Sequence, residues 1–295
     1  MKFKQNTIDF HPQADLIKKA YADAEKKRND HYASFYKELG LKPAEFIPRP
    51  FVYCLPTGNA EFDAGFDAAT PKKDTVYGIH GGGFPVGRTT VLSGRSGVGK
   101  SQFVYNLCRN ADFRTLYIDS EGGIIDAQSE NVFVYNTEIL EDCWVVVMRA
   151  IDSGKFNCIV IDSLTNLKTR EDMQKDDGEA PRMGQRAQVM NNFLTKLTAK
   201  LMSNEVAVVI ISQERESMDL FKKDPVLPGG ASILYSSSAI LGLMSNKSEE
   251  IKDKETGLKI GQKTRVRIRK NRFGADNCEF TCKIMFQEPN GGIKR

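Results

Sequence analysis

No stretch of this chain approaches the roughly 20 consecutive apolar residues that a membrane-spanning helix needs, so no membrane partner is expected. The start, Met1-Lys2-Phe3-Lys4-Gln5, has no apolar signal core, and a cytoplasmic chain is expected. Cysteine is sparse: six residues, none in a C-x-x-C spacing. That pattern points to free thiols in a reducing compartment and to no metal site built from cysteines. Cys278 and Cys282 fall on one expected strand, where their separation along it forbids a bridge. No internal repeat or low-complexity segment is visible, which leaves out repeat arrays. A large excess of one charge is also missing. The net charge of +4 does not by itself name a polyanionic partner.

What is present is length and placement. A chain of 295 residues can bury a proper core, as one large domain or a domain with a small appendage. The charge is concentrated: Lys263, Arg265, Arg267, Arg269, Lys270 and Arg272 put six cations into ten residues.

The run Ser93-Gly94-Arg95-Ser96-Gly97-Val98-Gly99-Lys100-Ser101 satisfies G-x-x-x-x-G-K-[ST] in full. The apolar Thr90-Val91-Leu92 before it reads as a buried strand, and Gln102 to Cys108 reads as the opening of a helix. Strand, glycine loop and helix together form the context of a nucleoside-triphosphate cradle. Glycines let backbone N–H groups turn toward phosphates, and the helix N-terminus adds its positive end. Gly94 through Gln102 are therefore the expected nucleotide contacts. Lys100 would reach the β- and γ-phosphates, and Ser101 would hold Mg²⁺.

From Thr57 onward, strands and helices alternate. Strands are expected at Thr115–Asp119, Val132–Tyr135, Cys158–Asp162 and Val206–Ile211, with helices at Leu140–Ile151 and Gln188–Met202. Continuous apolar strands alternating with helices predict a mostly parallel sheet covered on both faces. Ligands gather at the carboxyl ends of such strands, where the acids and Gln213 fall. Ile240–Leu243, Thr264–Arg269 and Glu279–Phe286 read as antiparallel strands added at the edge. Residues 1–56 differ: a charged amphipathic helix over about 13–39, then a proline-rich stretch with the β-like Phe51-Val52-Tyr53. This part has little apolar mass and reads as an oligomerisation arm on a core spanning 57–295.

Around the cradle, Asp162 closes an apolar strand and fits a carboxylate that supports Mg²⁺. Glu121, just past the strand ending at Asp119, is the candidate for activating water, against the plainer reading of a solvated loop acid. Gln213 could sense the γ-phosphate and signal to the loop after it. On a strand, Arg265, Arg267 and Arg269 share one face while Val266 and Ile268 take the other. Lys270 and Arg272 continue the inward register and could reach a neighbour's γ-phosphate; the alternative is a cationic edge that deters strand pairing. Two long polar stretches, about 169–185 and 214–228, follow nucleotide-proximal strands. They read as nucleic-acid contacts or as disorder.

These pieces, in this order, resemble the RecA family of ATPases. Pro56-Thr57-Gly58-Asn59-Ala60-Glu61-Phe62-Asp63 resembles the family's T-G-x-x-x-L-D entry, with Phe62 for the leucine. Gly81-Gly82-Gly83-Phe84-Pro85-Val86-Gly87-Arg88 is similar to its G-G-[LF]-P-x-G-R lead. Ile118-Asp119-Ser120-Glu121, Ile161-Asp162-Ser163-Leu164 and Thr264-Arg265-Val266 through Lys270-Asn271-Arg272 resemble further family blocks. The resemblance runs from about Thr57 to Ile293, and the compact layout is most like the phage UvsX type.

It implies a RecA-like P-loop NTPase core that uses ATP and Mg²⁺. The implied function is a DNA-dependent ATPase that forms a filament on single-stranded DNA and pairs it with homologous duplex. The implied catalytic set is Lys100, Glu121, Gln213, Lys270 and Arg272, the last two acting in trans, with Ser101 and Asp162 at the metal. The implied DNA contacts are Arg182, Met183, Gly184 and Arg186 from the first stretch. Arg215, Phe221, Lys222, Lys223, Gly229 and Gly230 come from the second. A single-strand-binding protein, a loading mediator and, for a phage chain, the bacterial host cytoplasm belong to the same expectation. Ile211-Ser212-Gln213 and Lys270-Asn271-Arg272-Phe273-Gly274 also resemble the DnaB-type ring helicases, and a RecA-like regulatory ATPase without DNA activity is a third reading.

Overall fold

The structure is a computed structural model that describes residues 54–70, 82–110, 113–123, 130–174, 184–214, 230–244 and 249–285, with the single positions Asp23 and Lys26. The expected arm, including Phe51-Val52-Tyr53, otherwise lies outside the described residues. In chain order the described elements begin with β1 (Cys54–Leu55), α1 (Ala60–Ala68), β2 (Phe84–Pro85), β3 (Thr89–Gly94) and α2 (Lys100–Asn110). Next come β4 (Thr115–Asp119), β5 (Val132–Asn136), α3 (Leu140–Ser153), β6 (Cys158–Asp162), α4 (Arg170–Gln174) and α5 (Gln185–Leu201). The remainder are β7 (Ala207–Gln213), α6 (Gly230–Ser236), β8 (Ala239–Met244), β9 (Glu250–Lys252), β10 (Lys259–Asn271) and β11 (Glu279–Met285).

One sheet carries the fold, in the order β11-β10-β8-β3-β7-β6-β4-β5, with β9 added on β10. The strands from β8 to β5 run parallel, while β9, β10 and β11 are antiparallel. β3, β4 and β6 are buried along their whole length. That is why β4 and β6 read as mainly apolar runs closed by an acid rather than as alternation.

Successive side chains take opposite faces. Leu92, Tyr117, Val160 and Val209 pack on one face with Phe103 of α2 and Phe62 of α1. Val91, Ile118, Ile161 and Ile210 pack on the other, with Val147 of α3 and Phe193 and Leu197 of α5. Helix α1 is held by an aromatic cluster in which Phe62 stands 5.9, 5.1 and 5.6 Å from Phe84, Phe103 and Phe280. Truncating so buried a ring costs about 3–5 kcal/mol. The Asn59 side chain caps this helix at the Phe62 amide. Thr57 closes its entry by donating from its amide and hydroxyl to Asp63.

Three sequence expectations are corrected. The stretch 169–185 is not wholly loop, because its first residues form α4, where Thr169 and Asp172 bond to each other as a local cap. α5 begins at Gln185, three residues before the expected start at Gln188, because Gly184 at φ 92° starts it. β10 is a long strand with a register shift between Ile268 and Lys270. The bulge turns Asn271 rather than Lys270 into the buried position, so Lys270 and Arg272 do not continue the inward row. No described helix is long and apolar enough to cross a membrane. All six cysteines are free, and Cys278 sits just ahead of β11 rather than on it.

Candidate nucleotide site

The carboxyl ends of β3, β4, β6 and β7 meet in register: Gly94 pairs with Gln213, Asp119 with Asp162 and Asp162 with Ile211. The sheet order therefore brings together glycine-loop, acid and amide residues that are far apart in sequence. Gly97 and Gly99 have φ of 77° and 85°, which L side chains rarely adopt, and this turns the loop around its own axis. A Cβ added at Gly97 would meet nothing within 4 Å, so the mouth of the loop is open. Arg95, Ser96 and Gly97 are exposed, Val98 is buried, and Gln102 bonds along α2 to Asn106. The Val98 carbonyl accepts from Gln262 of β10 at 2.5 Å, so the strand rich in cations also braces the loop.

Lys100 opens α2 and folds back, donating from Nζ to the Gly94 and Arg95 carbonyls at 3.0 and 2.9 Å. Burial pushes its ammonium below its ordinary value, and Asp162, Glu121 and Glu214 partly offset this. Asp162 is buried, and that burial pushes its carboxyl upward against hydrogen bonds from Tyr117 and Ser101. The Tyr117 hydroxyl donates to Asp162 Oδ2 at 2.6 Å. The Asp162–Ser163 peptide is cis.

Glu121 lies on the turn after β4, which Asp119 fastens by accepting from the Glu121 and Gly122 amides at 2.9 Å each. Its Oε1 accepts from Asn166 Nδ2 at 2.7 Å, Gln213 Nε2 at 3.0 Å and Ser163 Oγ at 3.2 Å. The three donors come from β7 and from the turn after β6. Together they pin one carboxylate oxygen of Glu121.

Lys270 and Arg272 lie on the carbonyl end of α6 within the same chain. Lys270 Nζ donates to the Leu234 carbonyl and, at 2.8 Å, to that of Ser237, while the Arg272 guanidinium donates to the Tyr235 carbonyl. Cations at a helix C-terminus satisfy its orphan carbonyls and its negative dipole end. Burial and Arg272 lower the Lys270 ammonium from its ordinary value. Arg265 and Arg267 approach Glu279 at 3.7 and 4.0 Å, while Arg269 turns the other way, to Glu214.

Of the expected DNA contacts, Arg182, Met183, Arg215, Phe221, Lys222, Lys223 and Gly229 lie outside the described residues. Gly184 caps α5, Gly230 opens α6, and the Arg186 guanidinium donates to the Thr165 carbonyl beside the Glu121 turn. Sequence reasoning missed Tyr117, Asn166, Glu214 and Gln262. Tyr117 could have been noticed as a hydroxyl in an otherwise apolar buried strand; the others carry no local signal.

The donor set fits a magnesium nucleotide. Ser101 and Asp162 bring hard oxygen ligands together at the foot of an open glycine loop, with Lys100 beside them.

The sequence model of the RecA N-terminal domain matches residues 66–293. Among curated proteins, the chain is similar to Protein RecA of Aquifex aeolicus (strain VF5), 26% identical over 259 residues, 84% of this chain and 70% of that protein. It is also similar to Protein RecA of Streptococcus parasanguinis, 24% identical over 310 residues, 100% of this chain and 75% of that protein. Protein RecA of Frankia casuarinae is 25% identical over 287 residues, 92% of this chain and 77% of that protein.

Proposed function

The chain belongs to the RecA N-terminal domain family, and on that premise we propose that it is an ATP-dependent recombinase that assembles on single-stranded DNA and pairs it with homologous duplex. The observation that carries this reading is the hydrogen bond between Gln213 and Glu121. It joins the residue facing the γ-phosphate position to the residue that activates water, at the head of the segment expected to hold DNA.

The chain's own groups divide the work. The turned backbone of Gly94 to Gly99 presents N–H groups to the phosphates, and Lys100 exchanges the Gly94 and Arg95 carbonyls for phosphate oxygens. Ser101 and Asp162 would hold Mg²⁺, which supplies charge neutralisation on the phosphate oxygens. Glu121, clamped at Oε1, orients the attacking water and takes its proton at the other oxygen. Lys270 and Arg272 complete the site of the adjoining subunit after leaving the end of α6. The segments around 169–185 and 214–228 grip the DNA, and residues 1–56 hook one subunit to the next. Filament assembly of this UvsX-like layout uses that hook and the trans cations.

Negative-stain electron microscopy with single-stranded DNA and a non-hydrolysable ATP analogue tests the reading. Open helical filaments are expected. Closed six-fold rings would move the function to a helicase motor, and dispersed subunits would favour a regulatory ATPase without DNA activity.

A further inference from the structure

Glu214 directly follows Gln213, and its side chain is only 5% exposed. Its Oε1 accepts from Arg269 Nη2 at 2.7 Å and from Ser93 Oγ at 2.8 Å. Its backbone amide donates to the Gly94 carbonyl at 3.0 Å, the same carbonyl that Lys100 Nζ holds. Glu214 is therefore one peptide away from the glutamine that meets Glu121 and one hydrogen bond away from the first peptide of the phosphate loop.

Arg269 comes from farther off. It lies on β10 and must pass over β8 to reach the ends of β3 and β7. The guanidinium passes close over Gly242 of β8. A Cβ there would stand 3.0 Å from Arg269 Nε and 3.2 Å from Nη2. Gly242 pairs with Ser93 on one side and Arg267 on the other, so a single ion pair spans four adjacent strands.

Such a pair is not required for stability. Taking two charges out of water is costly, and well-packed apolar residues of similar volume hold a fold as well or better. What a guanidinium–carboxylate contact adds is direction, because its hydrogen bonds fix angle as well as distance. We infer that Glu214 and Arg269 form a positioning pair that ties the end of β7, where Gln213 bonds Glu121, to the end of β10, where Lys270 and Arg272 leave the sheet. This rests on the trans role proposed for those two cations. One end of the pair then faces the subunit's own nucleotide and the other faces the next subunit's. A displacement at one site is carried along the pair to the cations that complete the other.

The test compares the wild type with Glu214→Met, Arg269→Met and the double variant. It reads melting temperature, affinity for an ATP analogue, and ATP turnover with and without single-stranded DNA. Each single variant buries an unpaired charge and melts lower than wild type. The double variant recovers the melting temperature and binds the analogue normally, yet loses DNA-stimulated turnover by about tenfold, within the range that coupling residues carry. A double variant with both stability and stimulated turnover of the wild type overturns the inference, because the pair is then only structural.

If the double variant does not fold, Gly242→Ala decides. It keeps both charges and crowds the guanidinium. Lower stimulated turnover at unchanged analogue affinity supports the pair's role, and unchanged stimulation overturns it. A wild type whose turnover ignores DNA overturns the recombinase reading itself, and the pair's role falls with it.

Discussion

Gln213 Nε2 donates to Glu121 Oε1 at 3.0 Å across 92 residues of sequence. The bond joins the end of β7 to the turn after β4, and Asn166 and Ser163 complete the grip on the same oxygen. Glu121→Gln removes the carboxylate proposed to accept the proton, and turnover with DNA should fall by about 10²–10⁴ while ATP-analogue binding is unchanged. Gln213→Ala should leave DNA-free turnover in place and abolish its stimulation by single-stranded DNA. Normal stimulation in that variant would remove Gln213 from the coupling.

Lys100 gives a pH prediction for the nucleotide-free protein. Burial holds its folded pKa below the ordinary 10.5 of the unfolded chain. Between the two values the unfolded chain binds the proton more readily, so stability rises with pH across that window. Below it, the cost of burying the ammonium is present in full. Lys100→Met removes this cost at similar volume. Its melting temperature without nucleotide should exceed that of wild type at pH 7, and the gap should narrow as pH approaches 10.5. Adding ATP should raise the wild-type melting temperature and leave the variant's unmoved. A variant that melts lower than wild type at every pH would contradict the assigned burial cost.

Tyr117 fixes the orientation of Asp162. The ring is fully buried, and its hydroxyl holds Oδ2 at 2.6 Å. Tyr117→Phe keeps the packing and removes one donor from a buried carboxylate, a loss of about 1–3 kcal/mol. The Mg²⁺ concentration needed for half-maximal binding of a fluorescent ATP analogue should rise by about tenfold or more on that scale. Binding at saturating Mg²⁺ should be restored. An unchanged Mg²⁺ requirement would reduce Tyr117 to a packing residue.

Much of the parallel core was readable in the sequence because burial on both faces writes itself locally. The bounds of β4 and β6 follow from apolar runs that end in Asp119 and Asp162. The glycine loop, Asp162, Glu121 and Gln213 were readable as candidates, since each ends a strand or follows it within two residues on the ligand side. Helix α1 carries only Phe62 and Phe66 as buried apolar positions, too few for a periodic signal. α6 is shorter still, with seven residues. The inward register expected for Lys270 failed at a bulge that only the pairing with β8 reveals. The Glu214–Arg269 pair passes over Gly242, a third residue on a strand between them, and nothing local marks it.

The central claim is that one subunit's Glu121 works with the next subunit's Lys270, although Lys270 caps α6 of its own chain in this structure. Losing that cap should lower the stability of Lys270→Ala by only about 0.3–1 kcal/mol, so the variant should fold and bind nucleotide. Mixing it with Glu121→Gln on single-stranded DNA is the most direct measurement. Each variant alone should be inactive. An equal mixture should regain turnover at roughly a quarter of its sites, those at which an intact Glu121 faces an intact Lys270 across a head-to-tail interface. A mixture no more active than its two components would contradict the account and place Lys270 in its own subunit's site.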